Sequence, residues 1–358
     1  MILEFIYPLK IHFSFLNLLG YVTFRAAYAA VTSFFLTLFL MPYYINLCYK
    51  FNLRENISED VPAQHRKKEG TPTSGGIIIV ISVILSLLIW GDLKNIFLYA
   101  AILPFVGFSL IGFIDDLTKR KKKKGLSQVP KFILQVTLTL FTIALYFLLF
   151  SPDIRFKTQM LFFKNILIPL GFVYPLFLFY MYLGTINSVN LTDGLDGLAI
   201  GVVAPIIFAF TVLAYTGGHA KIADYLNILF IPKSWEITVF GSALLGSSVG
   251  FLWFNSHPAE IFMGDTGSHA LGAGIASMAA LTKQELLLPV AGFVLVIEAM
   301  SVIIQVFSYR RFGKRVFLIA PIHHHFEKKG IPESKIVIRF WILSLIFSLI
   351  AVSTLKIR

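Results

Sequence analysis

The chain alternates between long apolar runs and short polar segments, and this alternation is its dominant pattern. A helix needs roughly 20 mainly apolar residues to cross the hydrocarbon core of a bilayer. Ten runs approach this length, and they lie near 20–47, 75–91, 96–114, 132–150, 170–188, 197–216, 236–254, 268–282, 286–307 and 336–355. The eighth is short and rich in Gly and Ala, which favours close helix packing or a tilted, partial span. The pattern predicts an all-α integral membrane protein with about ten transmembrane helices in a single polytopic domain, 1–358.

The composition supports a membrane protein and excludes several other classes. The 358 residues are 57% hydrophobic and 14% charged, whereas an average soluble domain has about 45–50% apolar and about 25% charged residues. The single Cys, Cys48, excludes an internal disulfide. The formal net charge is +12. In a membrane protein such an excess usually lies in the loops of one side, where it reports the orientation in the membrane and attracts anionic lipid headgroups or substrates. We therefore expect membrane lipid as a partner, and no nucleic acid.

Basic residues are distributed unevenly over the loops, and this predicts the topology. Loops 48–74, 115–131 and 308–335 together hold nineteen Lys and Arg, whereas the loops of the opposite side and the two ends of the chain hold ten. By the positive-inside rule the first set is cytoplasmic and both termini are external. Segment 152–168 then becomes an external loop, and its alternating pattern is compatible with a small β-hairpin.

The first acidic motif, GFIDDLTKR, ends the third apolar run. Asp115 and Asp116 are adjacent, and adjacent helical residues point about 100° apart. One carboxylate could therefore serve chemistry while the other orients it. The alternative is a helix end in which both acids pair with Lys119 and Arg120, and the pattern alone does not separate the two.

The second motif, NSVNLTDGLDGL, repeats a polar residue at every third position. Its members are Asn187, Asn190, Asp193 and Asp196. A continuous helix would make them one polar stripe, but Gly194 and Gly197 favour a loop or re-entrant turn. Amide and carboxylate groups together suit a ribose, a base edge or Mg²⁺ held through water.

The third motif, FNSHPAEIFMGDTGSHALG, carries Asn255 near the end of one run and Asp265 before the next. An Asp in a Gly-flanked turn can bind a hard cation, or it can be the N-cap of the eighth helix. His257 and His269 have no evident partner in the sequence. We interpret them as ordinary interfacial or packed residues.

Two further motifs are basic or rich in His. APIHHHFEKKG contains His323, His324 and His325, which suit phosphate or carboxylate binding or proton transfer, although a solvated loop is an alternative. HRKKEGTPTSGG offers Lys68, Thr73 and the N–H groups of two glycines to a diphosphate. Glu298 and Gln305, inside the ninth run, are interpreted as structural.

The acidic motifs converge on one membrane face. Five of the nine Asp residues lie at the mouths of apolar runs on the side assigned as cytoplasmic: Asp115, Asp116, Asp193, Asp196 and Asp265. Carboxylates beside hydrocarbon are costly unless they are paired, bind a metal or face water. They predict an active site at the cytoplasmic face, where soluble and lipid-borne groups meet.

The blocks GFIDD, NLTDGLDGLA, FMGDTGS and APIHHHFE, in this order, resemble the phospho-N-acetylmuramoyl-pentapeptide transferase family of the polyprenyl-phosphate sugar-1-phosphate transferases. The resemblance implies a multi-pass protein of the bacterial inner membrane. It also implies transfer of phospho-MurNAc-pentapeptide from UDP-MurNAc-pentapeptide to undecaprenyl phosphate, with Mg²⁺ as cofactor and UMP released. The alternatives are a UDP-GlcNAc:polyprenyl-phosphate transferase and, from another class, a transporter with an acidic ion path. The sequence leaves a homodimer open.

The resemblance also implies roles for individual residues. The catalytic candidates are Asp115, Asp116, Asp265, His323, His324 and His325, and Asp265 with Asp116 would hold the metal. The substrate-binding candidates are Lys68, Thr73, Asn187, Asn190, Asp193, Asp196, Asn255 and Phe262. Within that set, Lys68 and Thr73 would lie near the diphosphate.

Overall fold

The computed structural model describes residues 6–51, 70–122, 125–161, 163 and 166–357. Within these ranges the protein is mainly helical. The α-helices are α1 Val22–Lys50, α2 Gly76–Trp90, α3 Ile96–Lys122, α4 Gln128–Leu149, α5 Pro152–Arg155, α6 Tyr174–Thr192, α7 Leu198–Gly218, α8 Ala220–Leu226, α9 Glu236–Asn255, α10 Gly264–Leu281, α11 Leu288–Ala291, α12 Phe293–Phe312, α13 Ile322–Lys328 and α14 Glu333–Ile357. Short 3₁₀ helices cover Tyr7–Ile11, Ser14–Gly20, Gly171–Val173 and Glu285–Leu287.

Eight helices among the described residues are long and apolar enough to cross a membrane. The all-helical membrane class predicted from the sequence is therefore confirmed. Two of the ten predicted spans are not among these eight. Helix α2 is too short, and α10, with 18 residues, is not apolar enough. The ninth predicted run is not one helix, because Gly292 separates α11 from α12. The count of ten spans and the external termini stay predictions.

Helix α10 is the centre of the bundle. Every residue from Asp265 to Leu281 is buried, and the helix packs against α3 and α6. Small residues allow this close approach: a Cβ at Gly272 would collide with the backbone of Ile186, and one at Gly76 with the backbone of Gly267. The Gly- and Ala-rich sequence of the predicted eighth span therefore reflects tight helix packing.

The end of the bundle opposite the Asp motifs has its own buried polar cluster. Strands β1 Lys157–Gln159 and β2 Leu167–Pro169 pair antiparallel, in the segment for which the sequence suggests a small hairpin. Thr158 donates a hydrogen bond of 2.6 Å to Glu285, and the Lys283 ammonium donates one of 2.8 Å to the Tyr174 hydroxyl. Burial lowers the pKa of Lys283 to about 8 and raises the pKa of Glu285.

Candidate functional site

Four helix ends bring the polar residues of separate motifs together. Asp115 and Asp116 lie in the last turns of α3, and Asp265 lies in the first turn of α10. Asn190 belongs to the last turn of α6, and Lys131 to the first turn of α4. Helix ends carry backbone groups without intrahelical partners, so polar side chains gather there at little cost.

Two ammonium groups bridge the carboxylates of Asp115 and Asp265. Lys119 Nζ lies 3.1 Å from Asp115 Oδ2 and 2.7 Å from Asp265 Oδ1. Lys131 Nζ lies 3.2 Å from Asp115 Oδ2 and contacts Asp265 Oδ2 directly. The two carboxylates, from helices far apart in sequence, therefore share one small volume in which positive charge is favourable. Asp115 Oδ1 also accepts a 2.6 Å hydrogen bond from the Leu126 amide.

Asp116 faces a different set of partners and caps α10. Its Oδ1 accepts the amide of Asp265 at 3.0 Å, and its Oδ2 accepts the amide of Thr266 at 3.1 Å. The hydroxyls of Thr266 and Ser74 also donate to Oδ2, at 2.7 and 2.9 Å. Asp265 is thus not the N-cap of its own helix, and that alternative is wrong: the carboxylate that satisfies the first turn comes from α3.

The helix-end alternative for the first acidic motif is correct only in part. Lys119 does pair with Asp115, whereas Arg120 donates to the Thr73 carbonyl at 3.2 Å and to the Ser74 hydroxyl at 2.9 Å. The guanidinium is therefore used to hold the segment before α2. This interaction links Thr73 to the end of α3.

Two Asn residues of α6 are connected to α10, Asn190 directly and Asn187 through Gln135 of α4. Asn190 Nδ2 donates to Asp265 Oδ1 at 3.1 Å and to the Ser268 hydroxyl at 2.9 Å. Asn187 donates to Gln135 at 3.5 Å, and Gln135 lies 3.0 Å from Nε2 of His269. His269, interpreted from sequence as a packed residue without a partner, is buried and does have a hydrogen-bond partner.

The turn between α6 and α7 carries Asp193 and Asp196. The helix stops at Thr192, and the chain turns through Gly197, whose φ of 74° is the left-handed conformation that glycine adopts readily. The predicted turn at the glycines is therefore correct. Asp196 Oδ2 lies 3.1 Å from His257 Nδ1, so His257 has a partner that the sequence did not reveal. The Asp196 amide donates to Glu333 at 2.8 Å.

Asn255 joins this turn to the segment that follows α9. Its Oδ1 accepts the amide of Gly197 at 3.1 Å, and its Nδ2 donates to the carbonyl of Ile261 at 2.8 Å. The neighbouring Phe262 pairs through its backbone, donating to the Pro72 carbonyl and accepting from the Gly75 amide, both at 2.9 Å. The Gly75 amide is therefore occupied, and the expectation that the glycines of GTPTSGG offer free N–H groups to a ligand is wrong there.

The three consecutive His residues face three different partners. His323 Nδ1 lies 3.0 Å from Glu298, His324 Nδ1 lies 2.9 Å from Glu327, and His325 Nδ1 accepts the Leu318 amide at 3.1 Å. Such divergence argues against one metal ion shared by all three rings. Lys68 lies outside the described residues, so its predicted role near a diphosphate stays a prediction.

The donor set around Asp265 fits a magnesium ion. Mg²⁺ prefers carboxylate and other hard oxygen ligands, and Asp265 and Asp115 face one volume already stabilised by ammonium groups. Asp116 Oδ1 accepts one hydrogen bond and keeps a lone pair. Lys119 is about half exposed, so its ammonium group can move aside when a cation enters from solvent.

Sequence reasoning missed several residues of this site. Lys131 counts there only toward loop charge, and Ser74, Thr266 and Gln135 are not singled out. Such polar side chains have many uses in membrane helices, so a single sequence carries no signal that pairs them with residues far along the chain. Even Lys131, the nearest of these residues to the Asp motif, lies sixteen residues beyond Asp115, and this spacing does not show that they pair.

Comparison with known proteins adds an independent line of evidence. The sequence model for glycosyl transferase family 4 matches residues 96–283. The chain is 47% identical over 363 residues to a protein of Oleidesulfovibrio alaskensis and, over the same length, 47% identical to one of Thermodesulfovibrio yellowstonii. It is 43% identical over 360 residues to a protein of Citrifermentans bemidjiense. Each match covers 100% of both chains, and each relative is named phospho-N-acetylmuramoyl-pentapeptide-transferase.

Proposed function

The chain belongs to the phospho-N-acetylmuramoyl-pentapeptide transferase family, and on this premise we propose the reaction that it catalyses. It transfers phospho-MurNAc-pentapeptide from UDP-MurNAc-pentapeptide to undecaprenyl phosphate. The products are undecaprenyl-pyrophosphoryl-MurNAc-pentapeptide, the first lipid-linked precursor of peptidoglycan, and UMP. The protein is an enzyme of the transferase class that acts in the membrane.

One observation carries the proposal most directly: the carboxylates of Asp115 and Asp265 share two ammonium groups at one end of the bundle. Both substrates are highly anionic, so the reaction needs charge neutralisation and in-line positioning more than covalent help from the protein. Acids, ammonium groups and the Asn190 amide within hydrogen-bond distance of one another provide such an environment.

We propose direct attack by the lipid phosphate. An oxygen of undecaprenyl phosphate forms a bond to the sugar-linked phosphorus, and the bond from that phosphorus to the oxygen of the UMP phosphate breaks. The second pKa of a phosphate monoester is near 6, so little proton remains to be removed at pH 7. Asp115 accepts that remaining proton. The competing scheme, in which an Asp first forms a phospho-enzyme, predicts a labelled protein after incubation with labelled donor alone.

Mg²⁺ is the proposed cofactor, held by Asp265 with Asp116. When bound, it supplies charge neutralisation for the diphosphate of the donor. Asp116 also orients Asp265, because its carboxylate accepts the Asp265 amide at 3.0 Å. Lys119 and Lys131, freed from the carboxylates, contribute their charge to the phosphate oxygens.

The donor nucleotide is proposed to bind beside the turn that follows α6. Its uridine end contacts Asn190, Asp193, Asp196, Asn255 and Phe262, with Asn187 at the margin, while Lys68 and Thr73 lie near the diphosphate. His323, His324 and His325 lie where the sugar and peptide pass. What supports this arrangement is that Asn255 joins the turn to the Phe262 segment, at 3.1 and 2.8 Å.

We propose the bacterial inner membrane as the location, with the site at the cytoplasmic face. The asymmetry of Lys and Arg over the loops supports this orientation. A soluble nucleotide sugar then reaches the site from the cytoplasm, and the basic loops raise the local concentration of both anionic substrates.

A radiolabel assay tests the proposal. The purified protein in detergent receives undecaprenyl phosphate and Mg²⁺ with either UDP-MurNAc-pentapeptide or UDP-GlcNAc as the labelled donor. We expect a lipid-linked product and UMP with the first donor only. Turnover of UDP-GlcNAc alone would overturn the substrate assignment. UMP release in detergent, where no gradient exists, excludes a transporter that needs one.

A further inference from the structure

Glu298 is a carboxylate inside the membrane-spanning helix α12 that the proposed reaction does not use. Its side chain is 0% exposed, and it pairs with His323, which is also 0% exposed. Oε2 of Glu298 lies 3.0 Å from His323 Nδ1. A buried carboxylate among apolar residues is costly unless it is paired. An ionisable residue inside a membrane-spanning helix is therefore a candidate functional group, and here its partner belongs to the His motif.

The pair has two further buried atoms without partners among the described residues. They are Oε1 of Glu298 and Nε2 of His323. Buried polar atoms are nearly always hydrogen-bonded, so each exception calls for an explanation. Nε2 is the more informative of the two, because it identifies what the imidazole faces.

His323 Nε2 lies against the turn of the second motif. A Cβ added at Gly194 would overlap with this nitrogen, and it would also approach the ring of His324 to 3.3 Å. Gly194 directly follows Asp193, and Asp196 lies two residues further along the chain. The imidazole of His323 is therefore in contact with the turn that carries two proposed nucleotide-binding acids.

We propose that Glu298 is a positioning residue that acts through His323, fixing the ring against the Asp193–Gly194 turn and thereby shaping the nucleotide subsite. The inference rests on the proposed function of this turn. A carboxylate that accepts from Nδ1–H fixes the orientation of the ring and leaves Nε2 as the nitrogen that faces the turn. Without it, the ring can rotate, and the glycine turn loses the surface against which it packs.

The test compares E298A and E298Q with a matched control, S301A. Ser301 is buried one turn along α12, and its hydroxyl donates to the backbone carbonyl of Glu298 at 2.7 Å rather than to the carboxylate that pairs with His323. Binding of UMP is measured by calorimetry in detergent, together with KM and kcat for the donor. Hydrogen-bond partners that orient metal-binding side chains contribute about 10–100-fold to affinity or activity, and we take the same order for a carboxylate that orients an imidazole. We expect E298A to weaken UMP binding and to raise KM by about this factor, with a smaller effect on kcat.

E298Q is expected to stay within about threefold of the wild type, since its amide oxygen still accepts from Nδ1–H. S301A should also bind UMP as the wild type does. If E298Q binds UMP as weakly as E298A, the loss of the orienting hydrogen bond is not the cause of the weaker binding. In that case the proposal fails.

A double-mutant cycle separates positioning from a general structural role. If Glu298 acts through His323, E298A should weaken UMP binding no further once H323A is present. Losses that multiply in the double variant would overturn the proposal, as would wild-type binding by E298A. These outcomes differ from a failure of the proposed function, in which the wild type itself would release no UMP from the donor.

Discussion

The hydroxyl of Thr266 donates a 2.7 Å hydrogen bond to Oδ2 of Asp116, across an interval of 150 residues. This bond joins the end of α3 to the beginning of α10. Through it, one Asp of the first motif sets the position of the Asp of the third motif. The adjacent Asp115 points elsewhere, toward Lys119 and Lys131, as expected for neighbours about 100° apart on a helix.

Replacing Thr266 by Val tests whether this bond positions Asp265. A buried hydrogen bond to a charged group contributes about 1.5–3 kcal/mol, so we expect a lower melting temperature and a kcat reduced about tenfold. Thr142→Val is the control, because that buried hydroxyl only donates to a carbonyl in its own helix. Equal effects of the two substitutions on kcat would contradict a role for Thr266 in positioning.

The variant Asp265→Asn removes a negative charge at the centre of the site. We expect the rate of transfer to fall by about 10²–10³-fold, the range found when one group that stabilises transition-state charge is removed, and the dependence on Mg²⁺ to weaken. The assay titrates Mg²⁺ at saturating substrates. Asp153→Asn, an exposed acid in α5, serves as control; near-normal activity of D265N would remove Asp265 from the metal role.

The variant Asp193→Ala should affect binding more than chemistry. Because Asp193 lies in the turn proposed to contact the nucleotide, KM for the donor should rise by about tenfold while kcat changes less. Steady-state kinetics with varied donor measures this, with the exposed Asp224→Ala as control. The reverse pattern, a large loss in kcat at unchanged KM, would assign Asp193 to the chemical step.

The variant Gly194→Ala tests the contact between the turn and His323. An added Cβ has no room beside Nε2 of His323, so either the turn or the imidazole must move. We expect activity to fall at least tenfold and the melting temperature to decrease. Gly184→Ala is a matched control, because a Cβ there meets no atom within 4 Å; if both variants behave alike, the contact is unimportant.

Lys283 should make stability depend on pH. Burial lowers the pKa of its amine from 10.5 to about 8, so the folded protein binds this proton less tightly than the unfolded chain does. The free energy of unfolding is therefore highest above pH 10.5, where Lys283 is neutral in both states. It decreases as the pH falls from 10.5 through 8, because the unfolded chain gains the proton first. We expect the melting temperature of the wild type to rise relative to Lys283→Met between pH 8 and 10.5.

The control for this prediction is Lys221→Met, which removes an exposed lysine in α8. Its difference from the wild type should not change over the same pH interval. A flat difference for Lys283→Met as well would show that the Lys283 proton is bound equally in both states.

The sequence predicts the helical membrane class and the turn at Gly194 and Gly197, because both depend on local features. Apolar runs of membrane length specify helices, and two Gly residues within four positions interrupt one. The clustering of Asp115 and Asp265 could also be expected, because the loop charges assign both to one face. These inferences need no knowledge of which helices are neighbours.

The partners of single side chains could not be predicted in this way. Whether Asp265 caps its own helix depends on Asp116, which reaches it from another helix. His257 and His269 look unremarkable in sequence, yet each has a partner supplied by a distant segment. Such pairs are fixed by helix packing, and a single chain has no local signal for them.

The low apolarity of α10 has a consequence for biogenesis. A segment of this kind partitions poorly from the translocon into lipid by itself, and in the folded protein it is enclosed by other helices. Helices α3 and α6, against which it packs, precede it in the chain and so leave the ribosome first. We therefore expect α10 to enter the bilayer against an already assembled scaffold of its neighbours, which makes their insertion a precondition for completing the catalytic centre.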